Sequence, residues 1–148
     1  MLYETDRDRD NEKIAMEILK KVTGCDYERL PKTHRVDIVQ IDKSGTISAW
    51  IEYKRRTHFV NQYPSMMVST TKLTEGVMLS RMTGIPFYLV VGFESPESEE
   101  EPELYRIEVG IKTIQDSHIA MGGRTDRGDP SDRGPVCYID IPAFERIY

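Results

Sequence analysis

The chain has 148 residues, 39% hydrophobic and 30% charged, the balance of an ordinary folded domain large enough to bury a core. Its net charge of −5 does not exclude a polyanionic partner, because residues 94 to 103, ESPESEEEPE, hold six glutamates while basic clusters stand at 54–56 and between 124 and 133. Two distant cysteines, no zinc-spaced histidines, no apolar run near the ~20 residues of a membrane span and a charged amino terminus argue for a reducing cytoplasm.

Residues 7 to 22 read as a helix, since Ala15, Met16, Leu19 and Val22 recur at helical spacing and Gly24 offers a stop. A short extended piece, YERLP, leads into the strand RVDIVQID. KSG can turn the chain, and TISAWIEYK returns with clear alternation. Residues 55 to 64 are polar, end in Pro64 and read as a loop. The segment SMMVSTTKLTEGVMLSRMTG is expected to be a helix with a Met66, Leu73, Val77 stripe, although its β-branched run works against that. PFYLVVGF reads as a strand buried on both faces, and the acidic run after it as a solvated loop. LYRIEVGI and VCYIDIP are further strands, separated by the turn-rich loop MGGRTDRGDPSDRGP. With no repeat in sight, residues 1–148 are expected to form one α/β domain with a mixed sheet.

The hairpin carries the chemistry. Alternation puts Ile47, Ala49, Ile51 and Tyr53 on one face of the second strand, and Ser48, Trp50, Glu52 and Lys54 on the other. A tight turn near 43–46 brings Asp37, early in the first strand, opposite the Glu52–Lys54 region. Two carboxylates and an ammonium then meet at one end of a sheet, where charges must be paired, solvated or metal-bound. Hard oxygen ligands suit Mg²⁺ or Mn²⁺, and a neighbouring lysine can orient water or stabilise developing negative charge. The alternative is a salt bridge between Lys54 and one acid at a solvated sheet end.

Asp37, fourteen intervening residues and then Glu52-Tyr53-Lys54 resemble the D-Xn-E-X-K signature of the PD-(D/E)XK nuclease superfamily, which includes restriction endonucleases and archaeal Holliday junction resolvases. The similarity spans an early helix, the hairpin, a later helix and a buried strand, residues 10 to 93. Val36 stands where many members have proline. The resemblance implies a restriction-endonuclease-like mixed β-sheet flanked by helices, with an αβββαβ core. It also implies metal held by Asp37 and Glu52, with Lys54 as the catalytic lysine. Members often add a glutamate from the first helix. Glu12, on the Ala15, Met16, Leu19 stripe, fits better than Glu17, which shares its face with Lys13, Lys20 and Lys21. A second stretch, KRRTHFVNQYPSMMVS, together with residues 122 to 142, resembles a group of small tailed-bacteriophage proteins.

For nucleic-acid contact the candidates are Arg55 and Arg56 after the motif, Lys72 beside Ser69 on the second helix, and Arg124 and Arg127 in the glycine-rich loop. His34 and His58 flank the motif and read as ordinary loop histidines or as neighbours of the substrate. The reading is therefore a Mg²⁺- or Mn²⁺-dependent nuclease acting on DNA, in a host cytoplasm if phage-encoded. Cleaving both strands of a duplex would favour a homodimer. The rival is a catalytically silent DNA-binding or virion-associated protein that keeps the fold.

Overall fold

The computed structural model describes residues 6–123 and 133–148. Its first element, α1 (Asp6–Thr23), begins with Asp6 and Asp8 and ends with Lys20 and Lys21, charges that complement the helix dipole at both ends. Gly24 closes it in the left-handed region (φ 76°), its N–H donating to the Lys20 carbonyl at 2.9 Å. The buried face is Glu12, Ala15, Ile18 and Leu19; Val22, placed on the stripe by its spacing, is 43% exposed.

Next come β1 (Asp26–Arg29), β2 (Ile38–Ile41) and β3 (Ile47–Arg55), paired antiparallel in order. The β2–β3 turn is built by one side chain: Asp42 Oδ1 accepts from the backbone N–H groups of Ser44 and Thr46, both at 3.0 Å, and Gly45 supplies the φ of 85°.

The expected helix over 65–84 is two elements. Ser65–Ser69 is a strand, β4, and the helix α2 runs only over Thr70–Thr83. The Met66-Met67-Val68 run alternates buried, exposed, buried, because it pairs with a distant strand, β8 (Arg133–Asp140), with Met66 opposite Ile139 and Val68 opposite Cys137. Leu73 and Val77 are the buried stripe of α2 as expected.

β5 (Phe87–Ser95) lies parallel to β3 and is buried along most of its length. The acidic segment departs from its loop reading: it turns at Pro96–Glu97 and returns as β6 (Ser98–Glu108), antiparallel to β5. Its glutamates are tolerated there because distant residues answer them. Arg146 stands 3.2 Å from Glu103, Lys21 stands 3.8 Å from Glu101, and the Tyr148 hydroxyl donates to Glu101 at 2.9 Å. The chain continues through α3 (Ile111–Asp116) and β7 (His118–Gly123), neither of which the sequence pattern announced. After β8, a single 3₁₀ turn (Ile141–Ala143) precedes β9 (Glu145–Arg146).

One sheet has the order β1-β2-β3-β5-β6-β9 and a smaller one the order β4-β8-β7. The elements α1, β1, β2, β3, α2 and β5 follow the expected αβββαβ order, with β4 inserted before α2. On one face of the larger sheet α1 packs Ala15, Ile18 and Leu19 against Ile38, Ile51, Tyr53 and Val90. On the other, α2 and the small sheet bury Leu73, Val77, Met66 and Cys137 against Phe87, Leu89, Val91 and Phe93. Among the described residues no helix is long and apolar enough to cross a membrane.

The approach of α2 to β5 depends on Gly76. A Cβ at that position would clash with the outer edge of the fully buried Phe87 ring, at Cε1, Cε2 and Cζ. Gly76→Ala is therefore expected to destabilise the fold by about 1–3 kcal/mol, the usual cost of overpacking, although alanine is the better helix former. Chemical denaturation measures it. A gain in stability would mean that the ring yields without strain.

Candidate active site

Hairpin register builds the site. Ile38 pairs with Ile51, so Asp37, one residue outside β2, comes opposite Glu52. Its N–H still donates to the Ile51 carbonyl at 3.1 Å, and its carboxylate Oδ2 accepts the Tyr53 N–H at 3.1 Å. The backbone of β3 thus aims the aspartate. Glu52 and Lys54 share the α2 face of β3, beside Leu89 and Val91 of the parallel neighbour.

Glu52 is 1% exposed, yet neither carboxylate oxygen has a hydrogen-bond donor directed at it. Lys54 Nζ stands 3.1 Å from Oε2, at ion-pair distance but off the line of a good hydrogen bond, and two ionised carboxylates cannot donate to one another. Burial pushes the Glu52 carboxyl up to about 7; Lys54 opposes this, Asp37 adds to it and Lys72 opposes it. Asp37 also raises it by hydrogen-bonding the protonated form. A buried carboxylate left this short of partners is costly in isolation and chemically ready for a cation.

Glu12 is buried on α1 within electrostatic range of Asp37, while Glu17 is exposed. Glu12 is 8% exposed and paired with Arg29, whose Nε donates to Oε2 at 3.0 Å. Desolvation raises its carboxyl, Asp37 raises it further, and Arg29 and Lys32 offset part of the rise. Glu12 and Asp37 are therefore electrostatic neighbours, with an arginine engaging the glutamate. Neither Arg29, on a short edge strand, nor Lys32, in the turn after it, drew attention in the sequence, where a lone basic residue carries no motif.

The other candidates divide. Lys72, in the first turn of α2, faces Glu52 closely enough to lower its pKa. Arg56 follows the alternation of Lys54 and donates to the Met67 carbonyl at 2.9 Å. Arg55 points to the opposite face, where it meets Glu94 at 3.3 Å and donates to the carbonyls of Arg56 and Gly92. The structure does not bring Arg55 to the carboxylates. His58 extends the β3–β5 ladder, its carbonyl accepting the Glu94 N–H at 2.9 Å, whereas His34 is an exposed loop residue bonded to the Pro31 carbonyl. Arg124 and Arg127 lie outside the described residues.

The sequence matches, over residues 1–147, the model of a family described as "Phage putative PDDEXK endonuclease". The chain belongs to this family. It is accordingly a nuclease of the PD-(D/E)XK kind. A solved structure with a similar fold is Hjc of Archaeoglobus fulgidus, a Holliday junction resolvase from an archaeal hyperthermophile. The TM-score is 0.57 at 19% identity, over 92% of this chain and 88% of that one. This likeness establishes the restriction-endonuclease-like fold of the family member. Among curated proteins no match was found.

The donor set fits a divalent ion. Among the described residues no three acidic, histidine or cysteine side chains form a closed metal cluster. Mg²⁺ does not need one, since it is commonly held by one or two carboxylates and completes its shell with water and substrate phosphate. The buried oxygens of Glu52, which accept no directed hydrogen bond, offer such an open pair beside Asp37.

Proposed function

We propose that this nuclease hydrolyses DNA phosphodiesters with Mg²⁺ or Mn²⁺ held by Asp37 and Glu52. The observation that carries the reading is Glu52, buried without a directed hydrogen bond next to a second carboxylate and an ammonium. When bound, the ion would neutralise the two carboxylates and polarise a phosphoryl oxygen. Everything else falls to the chain's own groups. The Tyr53 N–H fixes Asp37 in its orientation. Lys54, anchored beside Glu52 and one-third exposed, holds the attacking water and meets the negative charge that builds on the phosphate oxygens. Lys72 and Arg56 line the same face and position the phosphate backbone. Glu12, whose Oε2 accepts from Arg29, would be a further ligand through its other carboxylate oxygen.

A phage nuclease of this kind would act in the host cytoplasm. Cutting both strands of a duplex would call for two copies of the chain. The test is incubation of the protein with linear duplex, single-stranded and branched DNA in Mg²⁺, Mn²⁺ or EDTA. Cleavage is expected with either ion and none in EDTA. Binding without cleavage under all three conditions would instead point to a silent DNA-binding descendant.

A further inference from the structure

The loop after β3 carries aromatic side chains that the core does not use. It leaves the sheet at the end where Glu52 and Lys54 stand, and it is pinned rather than slack. The Arg56 N–H donates to the Gly92 carbonyl at 2.8 Å, the Glu94 N–H to the His58 carbonyl at 2.9 Å, and the Gln62 N–H to the Phe59 carbonyl at 3.1 Å. At its far end the Ile141 N–H holds the Pro64 carbonyl at 3.0 Å. Within this frame Phe59 is 46% and Tyr63 52% exposed. Tyr63 packs edge-on to His58, centroids 4.8 Å apart at 85°, and His58 leans on the buried Phe93 at 5.7 Å. The Tyr63 ring, buttressed in this way, keeps a face open to solvent at little entropic cost.

Resting on the nuclease reading above, we infer that Phe59 and Tyr63 form a stacking surface for unpaired nucleobases, so that the preferred substrate has single-stranded nucleotides beside the scissile phosphate. Aromatic faces next to basic groups that track a phosphate backbone are how single strands are held without sequence readout. Lys54, Arg56 and Lys72 supply those groups on the adjoining face of the sheet. In a paired duplex the bases are stacked on each other and offer such rings nothing. A flap, gap or branch offers them directly.

The experiment uses the full chain and two oligonucleotide duplexes of equal length, one with a single-stranded flap carrying 2-aminopurine. Wild type, Phe59→Ala, Tyr63→Ala, the double variant and Phe59→Trp are compared. Binding is measured in EDTA and cleavage in Mn²⁺, and thermal unfolding verifies that each variant is folded. Wild type should bind the flap more tightly than the paired duplex and change the 2-aminopurine fluorescence on binding. Each alanine should weaken flap binding roughly tenfold, within the range stacking on one base provides, and leave duplex binding unchanged. Phe59→Trp should retain the preference. Equal affinity of wild type for the two DNAs, or a preference that survives in the double variant, would overturn the inference. A stacking signal from a wild type that cleaves no DNA would uphold it while removing the nuclease mechanism; cleavage without the signal would do the reverse.

Discussion

Glu52→Gln is expected to abolish DNA cleavage and yet to stabilise the metal-free protein at pH 8. The carboxyl is pushed up from its ordinary 4.5 to about 7, chiefly by burial. Between those values the folded protein keeps a proton that the unfolded chain has lost. Stability therefore falls as pH rises through this window, and the loss is complete above about 7. A shift of this size corresponds to about 3 kcal/mol, which a neutral amide of the same shape would restore. The amide can also donate to Asp37, which the ionised acid cannot. Urea unfolding in EDTA at pH 5 and pH 8 measures the effect. Wild type should lose more stability across the interval than the variant. Equal destabilisation by Glu52→Gln at both pH values would mean that Glu52 serves a satisfied structural ion pair with Lys54. Such a gain in stability on loss of an acid is the mark of a site built for a ligand, where the fold retains strain that the ligand relieves.

Lys54→Ala separates holding an ion from using it. Both carboxylates remain, so the variant should still bind Mn²⁺. Lys54 lowers the Glu52 carboxyl in the native protein, and its removal shifts that group further up. Ion binding by the variant should accordingly move to higher pH, and the comparison belongs on the alkaline plateau of each protein's own pH–binding profile. Under those conditions single-turnover cleavage should fall about 10²–10³-fold, the usual loss when one preorganised charge is taken from a reaction centre. Cleavage at the wild-type rate would remove Lys54 from the mechanism. Loss of ion binding alongside cleavage would make it a structural partner of Glu52.

The parts of this site that depend on short-range geometry were legible in the sequence. A tight turn and strict alternation suffice to set Asp37 against Glu52, and the helical stripe suffices to turn Glu12 rather than Glu17 inward. Alternation also carried a signal that went unused: Arg55, one residue after Lys54, must face away from it, and it does. What escaped depends on distant partners. The residues SMMVS become a strand because β8, some seventy residues later, pairs with them, and the local pattern offers only a β-branched run that weakens the helix without naming that partner. The glutamates of β6 look like solvated loop until Lys21, Arg146 and Tyr148 arrive from the two ends of the chain. Arg29 escaped for the same reason, since its meaning comes from Glu12, seventeen positions earlier and on a different element. Local propensity cannot register such pairings, and tertiary contacts override it where they form.

The central claim is that Asp37 and Glu52 form a divalent-ion site, and calorimetric titration of Mn²⁺ into wild type and Glu52→Gln at pH 8 tests it most directly. Wild type should bind the ion at or below millimolar concentration and release little proton on doing so, because Glu52 is already mostly ionised at that pH. Glu52→Gln, folded and more stable, should show no comparable binding heat. Absence of binding by wild type at millimolar Mn²⁺, or equal binding by the two proteins, would contradict the account.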